Sequence, residues 1–160
     1  MAATVRFEDV EVGSDIPVWS KVVRREDVKA YADASGDENP LHQDDAFAQS
    51  VGFPGIIAHG MFTMAHLTTA LTRWLGDPGA LRSINVQMRA VVFMDETIEA
   101  GGSIAELDPA TRLATLDVWV RVERDGATEY PIKNSRAVVE LACRARGRGA
   151  TPCRQTRIAP

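Results

Sequence analysis

The sequence predicts an α+β domain in which an antiparallel sheet covers one long apolar helix. Three observations carry this. Residues 59–75 are apolar on nearly every side, which marks a helix that belongs inside a domain rather than on its surface. After that stretch, apolar and polar residues alternate, the period of half-buried strands. Between two of the alternating runs lies Asp125-Gly126, a hairpin signal. Helices first and a strand meander afterwards is an α+β order.

Each element has a local reason. Residues 7–17 read as an irregular lead-in turning at Gly13 and Ser14, and residues 18–23 as an edge strand. From Glu26 the pattern is helical: Val28, Tyr31, Ala32 and Ser35 recur at three- and four-residue spacing, and Gly36 is a fitting stop. After a loop over residues 37–42, Asp44 is placed to cap a short helix to about Ser50, and Gly52, Pro54 and Gly55 break it. The long helix starts near His59 and carries Met61, Phe62, Met64, Ala65, Leu67, Ala70, Leu71, Trp74 and Leu75. It stops at Gly76, where Asp77 and Pro78 prevent continuation. Ile84, Val86 and Met88 then point one way, Asn85 and Gln87 the other, and strands follow near residues 97–107, 111–123 and 128–141. A meander that must cover one buried helix has to be a strongly curved sheet.

With 160 residues, 45% of them hydrophobic, the chain is long enough for one ordinary core and too short for two. Residues 1–142 are read as that single domain. The formal charge of −4 hides an asymmetry, because Arg144, Arg146, Arg148, Arg154 and Arg157 follow Cys143 and no acid does. Residues 143–160 are therefore expected to be a basic, disordered tail on an acidic body. An acidic body argues against nucleic acid as a partner, since phosphate binding relies on clustered cations. The longest apolar run, over residues 55–75, is broken by His59, His66 and Arg73, so no membrane span is expected. Residues 1–9 lack the pattern of a signal peptide, and a cytoplasmic protein is the expectation. Cys143 and Cys153 have neither metal-ligand spacing nor a disulfide framework.

Chemistry concentrates in residues 31–42, which read Y-A-D-A-S-G-D-E-N-P-L-H. Asn39 precedes Pro40 and is pushed toward extended backbone, while Gly36 can take dihedrals closed to other residues. The resulting stiff loop carries Asp37 and His42 at its ends, and a carboxylate and an imidazole so held can share a water or a substrate proton. The same residues also read as an Asx-type turn between two helices, with Asp37 and Asn39 capping backbone groups. The loop alone leaves both readings open.

With the stretch that follows, D-D-A-F-A-Q-S-V-G-F-P-G-I-I-A-H-G-M over residues 44–61, the loop resembles the MaoC-like, or type 2, enoyl-CoA hydratases. The resemblance rests on Ser35, Gly36, Asp37, Asn39, Pro40, Leu41, His42, Ala46, Ala58, His59, Gly60 and Met61, and extends in pattern over residues 7–141. Within that family the chain is most similar to the short single-domain dehydratases of actinobacterial acyl-chain metabolism. The resemblance implies a hot dog fold, a curved antiparallel sheet wrapped around a long central helix, paired into a dimer through edge strands. It also implies reversible addition of water to trans-2-enoyl thioesters, carried on coenzyme A or acyl carrier protein, to give 3-hydroxyacyl thioesters of the (R) series, with no cofactor beyond the carrier.

Carried over position by position, the resemblance makes Asp37 and His42 the pair that shares the catalytic water, with Asn39 and Ser35 supporting the loop. Gly60, at the start of the long helix, would offer its backbone N–H to the thioester oxygen, since a helix N-terminus has free donors and a favourable dipole. Its plainer role is close packing of helix on sheet. Thr68 matches a position where some relatives place a supporting Ser, although a helical Thr is commonly satisfied by its own backbone. Phe53, Ile56, Met64 and Leu67 are the expected acyl tunnel, and Arg82, Arg89, Lys133 and Arg136 are the cations available to a phosphate-bearing carrier.

Other chemistries fare worse. His59 and His66 are two helical turns apart, about 10 Å, too far for one zinc with bonds of about 2 Å. No metal is therefore expected; His59 reads as a structural hydrogen-bonding residue and His66 as a partly buried core histidine. Ser35 and Ser50 lack a nucleophile-elbow setting, and no Gly-rich loop follows a strand. Two alternatives share the fold: a non-catalytic subunit supporting an active hot dog partner, possible as a heterodimer, and a hot dog thioesterase. The intact acid and base speak against the first, and the Asn-Pro-Leu-His and His-Gly sequences against the second.

Overall fold

The computed structural model describes residues 5–142. In chain order its elements are β1 (Trp19–Val22), α1 (Arg25–Ser35), α2 (Asp45–Ser50), α3 (Gly60–Leu75), β2 (Leu81–Asn85), β3 (Thr97–Asp108), β4 (Leu113–Arg124) and β5 (Ala127–Glu140), with short 3-10 turns at Phe7–Asp9, Pro40–His42 and Pro78–Ala80. The strands form one antiparallel sheet in the order β1-β3-β4-β5-β2. β1 is an edge strand, as its sequence predicts. The expected tail, residues 143–160, lies outside the described residues.

Alternation makes the sheet one-sided. On β4, Ala114, Leu116, Val118, Val120 and Val122 are buried while the residues between them face outward, and Ile98, Ala100 and Ile104 on β3 and Ile132, Ala137 and Val139 on β5 join the same core. α3 supplies Phe62, Leu67, Ala70, Leu71 and Leu75 from the other side. The β4–β5 connection is the hairpin the sequence predicts: Asp125 has φ 52° and Gly126 φ 76°, both left-handed as a type I′ turn requires. Register shifts on β3, β4 and β5 add the local twist that lets a long sheet curl around a helix. This is the hot dog arrangement.

Two expectations are corrected. α3 is not covered all round: Met61 is 54% exposed, and Ala65 and Arg73 are exposed with it, because the sheet of one chain covers only one face of a cylinder. The strand expected to run through Met88 ends at Asn85. Opposite it, Lys133 and Asn134 together face Trp119, with Asn134 at φ 52°. That bulge breaks the ladder, and residues 86–90 continue along β5 as irregular backbone held by Gln87 N–H to Ser135 Oγ at 2.9 Å, Arg89 N–H to Pro131 O at 2.8 Å and an isolated bridge between Met88 and Ile132. No helix among the described residues is long and apolar enough to cross a membrane.

Candidate active site

The site grows from the end of α1. Gly36 closes that helix in left-handed geometry (φ 74°) with its N–H on Ala32 O, which turns the chain into residues 37–42. Each polar residue of the loop fixes the next: Ser35 Oγ accepts from Asp37 N at 3.3 Å, Asp37 Oδ1 from Asn39 N at 3.4 Å, and Asn39 Oδ1 from Leu41 N at 3.0 Å. Asn39 thereby caps the 3-10 turn that carries His42. The capping reading is thus built into the loop that carries Asp37 and His42.

A second strand of backbone docks on it. Ile57 N–H donates to Leu41 O at 3.3 Å, Ala58 N–H to Val92 O at 2.8 Å, and Ile56 N–H to Asp45 Oδ1 at 3.0 Å. The amide of Ile56, followed by Arg25, holds the Asp45 carboxyl below the usual range. Residues 56–58 are buried and deliver His59 and Gly60 directly opposite the loop.

There the imidazoles meet. His42 and His59 stack with ring centroids 3.7 Å apart and an interplanar angle of 29°. The His42 Nδ1 lies 2.7 Å from Ile57 O; a carbonyl only accepts, so Nδ1 carries the hydrogen and Nε2 of the neutral ring presents a lone pair. His59 does the reverse, donating Nε2–H to Asp37 O at 3.1 Å, with the Asp37 carboxylate at 4.0 Å. Burial is the main influence on His59 and pushes its pKa below the usual imidazole range. Asp37 is the open member, with 53% of its side chain exposed, so water reaches it.

Asp37, His42 and His59 bring donor atoms within 4.8 Å of one another, the one such group of potential metal ligands among the described residues. His66 stands apart, stacked on Trp19 at 5.0 Å and edge-on to Phe62 at 4.4 Å. One ring nitrogen of each clustered histidine is already committed to a backbone carbonyl. What the cluster offers is an exposed carboxylate beside two imidazoles, a proton-handling arrangement.

A cavity of about 170 Å³ opens next to it, lined by His42, Gly60, Thr63, Met88, Val92 and Ile132 among others. Gly60 begins α3, and His59 before it makes no side-chain cap bond to the helix, so the first N–H groups of α3 are not occupied by that side chain. A Cβ at Gly60 would lie 2.3 Å from Met88 Sδ. Thr63, one turn further and 4% exposed, was not among the residues expected from the sequence, although its position three after Gly60 puts it on the same helix face. Thr68 bonds to Met64 O at 3.0 Å within its own helix. None of Phe53, Ile56, Met64 and Leu67 lines this cavity; Ile56 and Leu67 are buried in the core. Of the four cations, Arg82 pairs with Glu140, Arg136 with Asp117, Arg89 with Gln87, and Lys133 sits 4.5 Å over the Tyr130 ring.

A hot dog domain with an acid and an imidazole facing the N-terminus of its central helix defines a class of hydro-lyases. A family model described as a MaoC like domain matches residues 8–123. This chain belongs to the MaoC-like dehydratase family. It is 33% identical over 146 residues to a 3-hydroxybutyryl-CoA dehydratase of Methylorubrum extorquens, covering 88% of this chain and 92% of that one. Its structure is similar to a MaoC-like dehydratase (TM-score 0.79, 33% identity), with 88% of this chain matched to 44% of that longer one. It is also similar to the (R)-hydratase from A. caviae involved in PHA biosynthesis (TM-score 0.75, 29% identity, 84% of this chain and 99% of that one).

Proposed function

We propose that this protein adds water reversibly across the double bond of a trans-2-enoyl thioester, giving the (R)-3-hydroxyacyl thioester, with coenzyme A or acyl carrier protein as carrier and no other cofactor. The observation that carries the reading is His42, which has a ring nitrogen within 4.8 Å of the open carboxylate of Asp37 and lines a cavity shared with Gly60. A water held by the two loses a proton to one of them as its oxygen bonds to C3. The electrons of the double bond move onto the thioester oxygen, where the N-terminus of α3 at Gly60 stabilises the charge. A proton returned to C2 completes the addition, and dehydration is the reverse. Ser35 and Asn39 hold the loop in register.

The working unit is a homodimer joined through edge strands in the cytoplasm. Support comes from β1, whose flank leaves Val18 51% and Val22 36% exposed. The test follows loss of the conjugated enoyl absorbance with enoyl-CoA substrates of graded length, with Asp37→Asn alongside. Loss with the intact protein alone establishes the hydratase. Silence across the panel shifts the assignment to a supporting subunit, and free thiol release without loss of the conjugated signal shifts it to a thioesterase.

A further inference from the structure

Resting on the hydratase reading, we infer that His59 is a positioning residue that fixes both members of the Asp37–His42 pair at once, one through its ring face and the other through its Nε2–H. The stack on His42 at 3.7 Å limits how that ring can turn about the bond it makes to Ile57 O. The 3.1 Å bond to Asp37 O anchors the start of the loop. Tyr31, from α1, closes on His59 from another side with ring centroids 5.0 Å apart.

Fold alone does not ask for histidine here. The residue before a helix is best served by Ser, Thr, Asp or Asn, whose oxygens accept from the first N–H groups; His59 makes no such bond. Its Nδ1 is buried without a hydrogen-bond partner in a residue 2% exposed, and an unsatisfied buried polar atom is unfavourable. An apolar side chain would avoid that penalty. What imidazole adds is a flat ring that also donates one hydrogen, and both properties are used on the pair. The groups facing it are His42, Asp37 and Tyr31, and burial favours its neutral form.

The test separates ring from donor. His59→Phe keeps a flat ring without the donor, and His59→Gln keeps an amide N–H without the ring. Nitrogen NMR of the labelled histidines, read without any substrate, is expected to give His42 as one Nδ1–H tautomer in the intact protein and as a mixture in His59→Gln. Turnover of enoyl-CoA is expected to fall roughly tenfold to a hundredfold in both folded variants, KM changing far less. An unchanged His42 tautomer together with unchanged turnover overturns the inference. So does a turnover loss that leaves the tautomer and the pH profile of kcat/KM unmoved, since that is a packing effect. An intact protein inactive on every enoyl thioester sinks the hydratase reading instead, and leaves the NMR result to decide the role of His59.

Discussion

His42 and Ile57 are joined by a 2.7 Å bond from Nδ1–H to the main-chain carbonyl, across 15 residues of chain. It fixes which nitrogen of the imidazole is free, and it ties the loop after α1 to the segment that enters α3. His42 and the backbone donor proposed at Gly60 therefore stand on one piece of cross-linked backbone, and a change at either end is felt at the other.

Asp37→Asn and His42→Ala should each lower hydration of an enoyl-CoA by about 10² to 10⁴. Both side chains are at least partly exposed, so circular dichroism and melting should stay close to those of the unmodified protein. Near-normal turnover in either folded variant would remove that residue from the chemistry.

Gly60 carries two possible demands, close approach of the thioester oxygen and room for Met88 Sδ, 2.3 Å from the position of a Cβ. Gly60→Ala should reduce kcat by about 10² or more, and adding Met88→Ala should relieve the crowding without restoring kcat. Recovery in the double variant would make the glycine a matter of packing against Met88.

Acid sensitivity should come first from the histidines. Burial holds His66 below the ordinary imidazole value, and burial, opposed by the bond to Asp37 O, holds His59 below it too. The unfolded chain therefore binds those protons more readily, and stability is complete above the unfolded value of about 6.5, then falls as pH drops below it toward the folded values. His66→Phe, which keeps a ring against Trp19 and Phe62, should flatten the fall in melting temperature between about pH 7 and pH 5. A fall as steep as before would assign it to other groups.

Arg124 clamps the end of β4. It bonds to Glu96 at 2.7 Å, Glu129 at 2.6 Å and Val91 O at 3.0 Å, and lies 4.5 Å over the Phe93 ring. With 21% of its side chain exposed, it is sheltered enough for these bonds to count, and Arg124→Ala should destabilise by about 2 kcal/mol in urea unfolding. Arg124→Lys should rescue little, because an ammonium cannot reproduce the fork. Val91 and Val92 line the cavity, so the loss should also raise KM.

Legibility in the sequence tracked how local the cause was. The end of α1 at Gly36, the Asp44 cap, the stop at Gly76 and the Asp125-Gly126 hairpin each follow from a residue acting on its own backbone, and each stands where expected. Asp37, His42 and Gly60 could be named from motif, and the chain folds them together. Features fixed by distant partners were not readable. The end of β2 at Asn85 depends on a bulge at Asn134, 49 positions on. The stack of His59 on His42 depends on where residues 56–58 dock, and sequence spacing, which only set His59 and His66 two turns apart, carried no sign of it. The cavity wall of Met88, Val92 and Ile132 comes from three separate segments, which is why the expected tunnel residues did not anticipate it.

The bulge at Lys133 and Asn134 also divides labour within the chain. Because residues 86–90 meet β5 through an isolated bridge and a few bonds rather than a continuous ladder, side chains on that wall of the cavity can change in bulk without a strand losing its register. On the proposed reading the chemistry sits on the loop after α1 and the entry to α3, and the wall of residues 86–90 can vary without touching either. A scaffold so divided can drift from one acyl group to another while its reaction stays the same.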